Sequence, residues 1–561
     1  MKSPGPFSFL VLFLCLLRGQ AEAQFRQPLL PPPVAAAISA DTLGGNSTFQ
    51  QLIDHKNPSL GTFSQRYWWN TTYWTGPGSP VVLFTPGEVA ANGYTGFLTN
   101  RTLAGLFAQE IGGATIVIEH RYWGESSPYS VLDTKNLTYL TLENSVADLV
   151  HFARTVQLPF DKSGMSNAPD APWIDLGASY SAALAAWIHK LSPGTFWAYH
   201  ASSGPVQAIY DYWAYFLPIE HGMPKNCSAD ISRITGYIDE LIDNGNHAEI
   251  QALKEDFGLA GLAHADDFAG YMLFSGAVSG VVSAWQNVGP SSGYSNFFQM
   301  CDSIEGVRPV AINGTNSTAV GPWSNVTIPS ADGIGLKKAL PNLISYFRNE
   351  YLPNYCAYYK YEEFLDPMSV GCFESYDTSN PFFSDKAVNN TGNRQWFWML
   401  CNEPFAYWQT GAPNGQHSVI SRYVSTGYWQ RQCGIMFPPQ GNATYGSAAG
   451  RTVNELNALT EGWNLTNTTR LVWVNGEFDP WRSASVSSEI RPGGPLQSTP
   501  EVPVLLAKGG IHCSDISTMN GEVNKDIRNT QLTAVAHIKK WTDEFYVDKR
   551  GPHRRRVSWA A

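Results

Sequence analysis

Ser179, Asp479 and His512 lie far apart in the chain, but their residue types are those that together activate a serine hydroxyl as a nucleophile. A serine hydroxyl attacks a carbonyl carbon when a neutral imidazole takes its proton and a carboxylate holds that imidazole in place. Ser179 lies within Gly177-Ala-Ser-Tyr-Ser181, which is close to the Gly-x-Ser-x-Gly sequence of a sharp strand-to-helix turn. The three residues therefore predict acyl transfer by nucleophilic catalysis.

Each of these signals is weak alone. Asp479 precedes Pro480, and an isolated Asp-Pro pair is more often a turn former than a catalytic acid. A lone His512 is more often a hydrogen-bonded loop histidine, and a Gly-x-Ser-x-Ser match is common in a chain with 50 glycines. Their combination carries more weight, because the order serine, acid, histidine is that of the α/β hydrolases.

Apolar runs of the kind that form strands precede all three residues. Residues 173–176 lead into Ser179, residues 471–474 lead to Asp479, and residues 502–506 lead to the histidine. In an open parallel sheet the carboxyl ends of the strands meet at one edge, where ligands bind. We therefore expect the three side chains to converge there.

The rest of the chain indicates what carries these strands. Apolar runs at residues 80–85 and 114–119 alternate with helical patterns at 142–155 and 181–191, which is typical of a mostly parallel α/β sheet. Residues 210–440 instead carry helical patterns, aromatic loops and most cysteines, with no strand signal. The predicted fold is an α/β-hydrolase sheet domain interrupted by a large, mainly helical cap insertion.

These changes in residue pattern along the chain predict its division into segments and domains. The predicted organisation comprises a signal peptide at residues 1–23, a mobile N-terminal segment at 24–45, the first part of the sheet domain at 46–209, the cap at 210–440, the second part of the sheet domain at 441–548 and a basic mobile tail at 549–561.

The N-terminus predicts export. Lys2 precedes an apolar run at residues 7–17 and the small-x-small sequence Ala21-Glu-Ala23, as in a secretory signal peptide. The alternative, a membrane anchor, is disfavoured because the run is too short to cross about 30 Å of hydrocarbon. We expect a secreted, extracellular protein, with an acidic vacuole-like or lysosome-like compartment as the alternative.

Glycosylation acceptors and composition agree with export. N-linked glycans are expected at the Asn-x-Ser/Thr sites Asn46, Asn70, Asn100, Asn136, Asn226, Asn313, Asn316, Asn325, Asn389, Asn442, Asn464 and Asn467. The net charge of −10 provides no phosphate-attracting field, so no nucleic acid is expected as a partner. The 13% aromatic and 15% charged residues argue against disorder.

The cysteines indicate disulfides rather than a metal. Seven remain after the signal peptide, and the simplest nested pairing is Cys227 with Cys301, Cys356 with Cys372 and Cys401 with Cys433, which leaves Cys513 free. The sequence leaves that connectivity open. No Cys-x-x-Cys or His-Glu-x-x-His spacing is present, so neither a metal nor another cofactor is expected.

Several motifs carry a family resemblance. They are residues 51–55 with 61–67, Glu119-His-Arg-Tyr-Trp-Gly124, Asp479-Pro-Trp481 and Gly510-Ile-His512. Together they resemble the serine peptidases of family S28, which includes Pro-X carboxypeptidase and dipeptidyl peptidase II. Thr85-Pro-Gly-Glu88, Cys401-Asn-Glu-Pro404 and Arg491-Pro-Gly-Gly-Pro495 resemble the fungal prolyl endopeptidases of that family.

The resemblance implies hydrolysis of proline-containing peptides or proteins on the carboxyl side of proline, through an acyl-enzyme. The backbone N–H of Tyr180 and a second donor near Gly87 would hold the oxyanion. Trp481 would form the proline pocket, since a flat indole buries a pyrrolidine ring without a polar partner; the alternative is that this ring is simply core.

Further residues are expected to contact substrate. They are Glu88, Glu403 and Trp398, with the aromatic loops near Trp396 and Trp398 lining a channel beneath the cap. His120, in contrast, ends a buried strand and is expected to be a hydrogen-bonded structural residue.

One departure from the family concerns the serine turn, where Ala178 and Ala182 replace two glycines. If either position requires positive φ, alanine costs on the order of 1 kcal/mol. This departure keeps two alternatives open, an esterase or lipase on the same sheet and a non-catalytic glycoprotein. The sequence also leaves open endopeptidase against exopeptidase action, the pH optimum and the oligomeric state.

Overall fold

The computed structural model describes residues 44–270, 284–307 and 327–550. The predicted signal peptide, residues 24–43 of the N-terminal segment, residues 551–561 of the basic tail and the acceptors Asn313, Asn316 and Asn325 lie outside the described residues.

Ten strands are present in the described ranges. They are β1 (Gly44–Leu52), β2 (Thr62–Asn70), β3 (Val81–Phe84), β4 (Ala114–Ile118), β5 (Trp173–Ala178), β6 (Ala198–Ser202), β7 (Ile209–Asp211), β8 (Ala406–Trp408), β9 (Leu471–Gly476) and β10 (Val504–Ala507).

Eight of these strands form one sheet in the described part of the chain, in the order β1-β2-β4-β3-β5-β6-β9-β10. The six strands from β4 to β10 run parallel, and β1 and β2 add an antiparallel edge. Strands β3, β4 and β5 are buried at every position, because helices cover both faces of the sheet. Their continuous apolar runs arise from that double coverage.

The α-helices with described bounds are α1 (Leu103–Ile111), α2 (Leu142–Thr155), α3 (Tyr180–Leu191), α4 (Leu217–Gly222), α5 (Lys225–Asp243), α6 (His247–Phe257), α7 (Ala265–Gly270), α8 (Asn296–Ile304), α9 (Leu336–Tyr346), α10 (Pro381–Ser384), α11 (Arg394–Asn402), α12 (Thr426–Met436), α13 (Val453–Thr460), α14 (Thr518–Val523) and α15 (Lys525–Arg550). A π-helical turn spans Phe347–Tyr351, and 3₁₀ turns span Pro58–Leu60, Ala91–Leu98, Asn136–Tyr139, Trp213–Phe216, Ala284–Asn287, Cys356–Tyr359, Glu362–Phe364, Gly371–Phe373, Gly462–Asn464 and Pro480–Ala484.

Two apolar clusters lie on opposite faces of the sheet. Helices α1 and α15 cover one face, around Phe107 and Ile538. Helices α2 and α3 cover the other, and their cluster continues without interruption into the cap. The cap is therefore packed onto the α2 and α3 face rather than tethered as a separate body.

The cap carries all three disulfides found among the described residues. The pairs are Cys227–Cys301, Cys356–Cys372 and Cys401–Cys433, as in the simplest nested pairing, and Cys513 is a free buried thiol. The predicted α/β-hydrolase sheet with a mainly helical insertion is confirmed.

Some boundaries differ from the sequence predictions. Residues 44 and 45, assigned to the mobile N-terminal segment, pair with Asn70 and Trp69 in the sheet, and Lys549 and Arg550, assigned to the tail, continue α15. The cap also contains the short parallel pair β7 and β8, which three-residue runs were too short to indicate. Among the described residues, no helix is long and apolar enough to cross a membrane.

Candidate active site

The serine turn has the backbone that a strained nucleophile requires. Ser179 adopts φ 61° and ψ −128° between β5 and α3, a region that residues other than glycine rarely occupy. A Cβ at Gly177 would lie 2.0 Å from the carbonyl oxygen of Ser181, so only glycine fits there. The Ser181 hydroxyl donates to the Ala178 carbonyl at 2.7 Å and accepts from the Ala178 N–H at 2.9 Å, which closes the turn.

The two alanines in this turn carry no backbone penalty. Ala178 and Ala182 do not have positive φ; the positive φ belongs to Ser179 itself. Both methyl groups are buried, one in each of the two clusters that flank the sheet. The alanines thus add apolar contact, and the cost of about 1 kcal/mol that positive φ would have imposed does not arise.

Asp479 and His512 form a direct hydrogen bond. His512 Nδ1 donates to Asp479 Oδ1 at 2.8 Å, and both side chains are almost fully buried. Because the proton is on Nδ1, Nε2 is the acceptor of the neutral ring. The imidazole is therefore held in the tautomer that takes a proton from a hydroxyl.

The Asp479 carboxylate is itself fixed by two further contacts. Its Oδ1 accepts from the Trp481 N–H at 3.0 Å, and its Oδ2 accepts from Asn475 Nδ2 at 3.1 Å. The amide oxygen of Asn475 accepts from the hydroxyls of Ser485 and Ser487 at 2.9 and 2.7 Å. Asn475 is a positioning residue that the sequence analysis did not identify, although it lies only four residues before the acid.

Ser202 and Ser203, at the end of β6, join the histidine loop to the serine turn. The Ser179 N–H donates to the Ser202 carbonyl at 2.8 Å, and the Cys513 N–H donates to the hydroxyl of the next residue, Ser203, at 2.9 Å. The three predicted residues thus follow β5, β9 and β10, and the end of β6 contacts both the serine turn and the histidine loop. Ser179 Oγ and His512 Nε2 are both buried, and neither makes a hydrogen bond with any described residue, including each other.

The loop after β3 lies against the serine turn. Gly87 has φ 77°, and a Cβ placed on it would lie 3.2 Å from Tyr180 Cδ1 and 3.7 Å from the Ser181 N–H nitrogen. Its own N–H donates to the Thr85 hydroxyl at a long 3.3 Å. Tyr180 begins α3, where the first N–H groups have no partner within the helix. Both predicted oxyanion donors are therefore next to the serine.

His120 is a structural partner of this turn, as expected from its position after β4. Its Nδ1 donates to the Arg121 carbonyl at 2.9 Å, so its Nε2 accepts from the Tyr180 hydroxyl at 3.2 Å. Burial lowers the pKa of His120 to about 4. The ring therefore stays neutral through mildly acidic pH and keeps the tyrosine anchored.

Trp481 packs within a group of tyrosines. Its ring centroid lies 5.8 Å from that of Tyr212, 5.4 Å from Tyr215 and 5.3 Å from Tyr407. Its indole N–H donates to the amide oxygen of Gln286 at 2.9 Å, a contact with the cap that the sequence did not indicate. The backbone N–H of the same tryptophan contacts the catalytic acid candidate, so this ring is fixed beside the chemistry.

The two tryptophans of α11 point in different directions. Trp396 packs on Tyr180 with centroids 5.3 Å apart, whereas Trp398 donates to the Leu140 carbonyl at 3.1 Å and packs on Phe437. Residues two apart on a helix project about 200° apart, so only one of them faces the serine turn. The expectation for Trp398 is corrected: this side chain joins the cap to the sheet domain, and Trp396 faces the turn.

The two predicted glutamates differ in their surroundings. Glu403 accepts from Arg451 at 3.3 Å and from Asn402 at 2.9 Å, and it lines a cavity of about 880 Å³ that extends to Leu191, at the far end of α3 from the serine. Its carboxylate is thus already paired with an arginine, and the expected substrate contact stays a prediction. Glu88 is buried, and neither of its oxygens has a hydrogen-bond partner among the described residues; burial raises its pKa well above the usual range.

The free thiol and the candidate metal ligands bear on other kinds of chemistry. Burial raises the pKa of the Cys513 thiol well above its usual value, so the sulfur beside His512 is not a thiolate nucleophile. Within the described ranges, no group of three or more His, Cys, Asp or Glu side chains is arranged to hold a metal ion.

Most predicted glycan acceptors that the structure describes are accessible. Asn46, Asn100, Asn389, Asn442, Asn464 and Asn467 are exposed, and Asn70, Asn136 and Asn226 are half-buried.

Parallel strands with the serine turn after β5 define this protein as an α/β hydrolase. Comparison with known families then identifies the kind of hydrolase. The chain belongs to peptidase family S28, whose model, described as serine carboxypeptidase S28, matches residues 50–532. It is a serine peptidase of that family.

Three relatives illustrate the range of similarity. The chain is 44% identical over 542 residues to serine protease vicPa of Bipolaris victoriae (strain FI3), covering 96% of each chain. It is 29% identical to a probable extracellular serine carboxypeptidase of Arthroderma benhamiae, covering 96% of this chain and 75% of that protein. It is 23% identical to human lysosomal Pro-X carboxypeptidase, covering 89% of this chain and 88% of that protein.

Proposed function

We propose that this protein is a secreted serine peptidase that hydrolyses peptide bonds on the carboxyl side of proline, with Ser179, His512 and Asp479 as its catalytic triad. The observation that supports the triad most directly is the hydrogen bond from His512 Nδ1 to the buried Asp479. It leaves Nε2 as an acceptor at the same strand ends as a serine held in a strained conformation.

In this mechanism Ser179 Oγ attacks the carbonyl carbon while His512 Nε2 accepts its proton. The same proton then passes to the leaving amine, and water hydrolyses the acyl-enzyme by the reverse sequence. The Asp479 carboxylate stabilises the imidazolium that forms in each step. Oγ and Nε2 must approach when substrate binds, which is common because catalytic hydrogen bonds are often long in the unliganded enzyme.

The oxyanion of the tetrahedral intermediate would be bound by the Tyr180 N–H and by the Gly87 N–H. The second donor is supported by the contact between its loop and the serine turn. Its present bond to Thr85 is long, so exchange for a charged oxygen is favourable. One donor of this kind contributes about 2.7 to 4 kcal/mol to transition-state stabilisation.

Specificity for proline rests on Trp481. Its backbone contact with Asp479 fixes the ring close to the acyl site, and an indole face buries a pyrrolidine ring without an unpaired polar group. One relative is named a Pro-X carboxypeptidase, which supports the same preference. Glu88, whose raised pKa favours the neutral acid, and Glu403 are further candidates for contact with the peptide.

Secretion is supported by the extracellular relative, by three disulfides in the cap and by six exposed glycan acceptors. Proline-containing peptides or proteins are the proposed partners, and N-linked glycans the proposed modification.

Mass spectrometry of peptide products tests this function. The purified protein is incubated with a peptide containing one internal proline, and with versions blocked at the N-terminus, the C-terminus or both. We expect cleavage after proline in the unblocked peptide, and the blocked versions then distinguish endopeptidase from exopeptidase action. Cleavage without regard to proline, or turnover of short esters only, would contradict the proposal.

A further inference from the structure

A glutamine from the cap contacts the proposed proline pocket. The amide oxygen of Gln286 accepts from the indole N–H of Trp481 at 2.9 Å and from the hydroxyl of Tyr215 at 3.0 Å. An indole nitrogen only donates, so the group that faces it must be the amide oxygen. Gln286 is 4% exposed and Trp481 is 3% exposed, so water does not substitute readily for this contact.

The turn that carries this glutamine is fixed to the acid loop. The neighbouring Trp285 donates its indole N–H to the Phe478 carbonyl at 2.8 Å, and its ring packs on Phe297 with centroids 4.9 Å apart. A Cβ on Gly222 would lie 2.6 Å from the Trp285 ring and 2.7 Å from the Phe478 ring, so the end of α4 packs directly against both rings. The position of Gln286 is therefore defined by the sheet domain as well as by the cap.

From these contacts we infer that Gln286 is a specificity-determining positioning residue, which holds the Trp481 indole in the orientation that accepts a proline ring. The inference rests on the proposed function, because it assigns a role within the proposed pocket. Without the acceptor, a buried N–H lacks a partner, and the ring must turn or admit water to satisfy it. Either change reduces the flat apolar surface that the pyrrolidine ring contacts.

The same contacts indicate that the triad does not depend on Gln286. Trp481 bonds to Asp479 through its backbone N–H, whereas it bonds to Gln286 through its side chain. Loss of the glutamine acceptor should therefore change proline selection and leave the reactivity of the serine intact. A residue needed only for folding would affect both.

The test substitutes Gln286→Leu, which retains the side-chain volume and removes the acceptor. The measured quantity is the ratio of kcat/KM for two peptides that differ only in proline or alanine before the scissile bond. We expect the ratio to fall roughly tenfold, mainly through KM for the proline peptide. The rate of fluorophosphonate labelling should equal that of the wild type.

Gln299→Leu is the matched control. Gln299 lies on α8 of the cap, and its amide donates to the Tyr294 carbonyl rather than to the acid loop. We expect its substitution to leave the proline-to-alanine ratio at the wild-type value. An equal fall in both variants would contradict the inference, since it would reflect a general loosening of the cap.

Two further variants test the same contact, and one of them, Gln286→Glu, remains usable if Gln286→Leu folds poorly. Trp481→Phe removes the indole N–H, so adding Gln286→Leu to it should change the ratio less than twofold, an energy within ordinary additivity error. Gln286→Glu keeps an acceptor oxygen. Below pH 5, where its carboxyl group is neutral, this variant should retain most of the proline-to-alanine ratio that Gln286→Leu loses. Equal effects of Gln286→Leu with and without the indole N–H would overturn the inference.

The two proposals fail in different ways. A wild-type protein with no preference for proline contradicts the proposed function. A wild-type preference that survives Gln286→Leu, in a protein with normal labelling, contradicts the role of Gln286 alone.

Discussion

The sheet domain and the cap are held together by different means. In the sheet domain, β5, β6 and β9 pair along their backbones although they are separated by up to about three hundred residues in sequence. In the cap, short helices are joined by three disulfides and by ring contacts such as that of Trp408 on Trp429. The proposed triad and the pocket ring Trp481 therefore lie on the part fixed by hydrogen-bonded strands, whereas residues that pack around that ring, such as Tyr215 and Gln286, come from the disulfide-stabilised part.

This difference fits the accuracy that proton transfer requires. The proposed proton transfer between Ser179 and His512 would slow about 100-fold if the groups that position these atoms were displaced by about 1 Å, so strand ends held by backbone hydrogen bonds suit it. Gln286 is one of the residues through which the two regions are in contact, by its hydrogen bond with Trp481.

The largest effect is expected from a change at the strand ends. Asp479→Asn should lower kcat about 10⁴-fold, because the amide donates to the histidine and fixes the wrong tautomer. Steady-state kinetics with a proline peptide measure this loss, and thermal unfolding should show a folded protein. Retention of more than a tenth of the wild-type kcat would show that this carboxylate does not orient the histidine.

The second prediction compares buried carboxyl groups in the two regions. Burial raises the pKa of Asp175, on β5, to about 8, and raises the pKa of Asp267, in the cap, to about 7. Each folded-state pKa exceeds the unfolded value, so between pH 4 and the folded pKa the folded state binds more protons. The stability that each carboxyl group contributes by staying neutral in the folded state is complete at low pH. It is lost as the pH rises through the folded-state pKa of that group.

Asp175→Asn should therefore stabilise the protein at pH 8 relative to wild type by up to several kcal/mol and should change little at pH 4. In the wild type, Asp175 Oδ2 has no hydrogen-bond partner among the described residues, whereas Asp267 accepts from the N–H and hydroxyl of Ser375. Asp267→Asn loses part of that pairing, so its gain at pH 8 should be smaller. Urea unfolding at both pH values measures these differences, and equal pH dependence in wild type and Asp175→Asn would contradict the assignment.

The third prediction concerns the disulfides and is the smallest. Replacing Cys227 and Cys301 by serine opens a loop of 74 residues and should lower the free energy of unfolding of the cap by about 2 to 4 kcal/mol. The pair Cys356–Cys372 closes a loop of only 16 residues. Its loss should therefore lower the free energy of unfolding by about 1 kcal/mol less than the loss of the first pair does.

Limited proteolysis and calorimetry compare the two double variants. Cleavage should begin between residues 210 and 440, while the sheet domain remains intact. First cleavage within the sheet domain would show that the two regions do not differ in the way proposed here.

The sequence predicts best what repeats over several residues. The buried runs at β3, β4 and β9 and the helical pattern of α2 coincide with the observed elements, because burial on both faces or on one stripe leaves a strong pattern. Ser179, Asp479 and His512 are candidates because of their residue type, order and strand context together, and their catalytic roles stay a prediction.

Other features leave no such pattern. Strands β7 and β8 have three residues each, which is too few for a period. The role of Gln286 depends on one amide oxygen that meets Trp481 from 195 residues away. The opposite orientations of Trp396 and Trp398 follow from the exact rotation of α11, which ring-rich composition alone does not define.

The most direct test of the central claim is the site and rate of fluorophosphonate modification, mapped by mass spectrometry of the labelled protein. We expect a single adduct on Ser179, none in Ser179→Ala, and labelling slowed by about 10³-fold or more in His512→Ala. An adduct on a different serine, or labelling at the wild-type rate without His512, would contradict the triad proposed here.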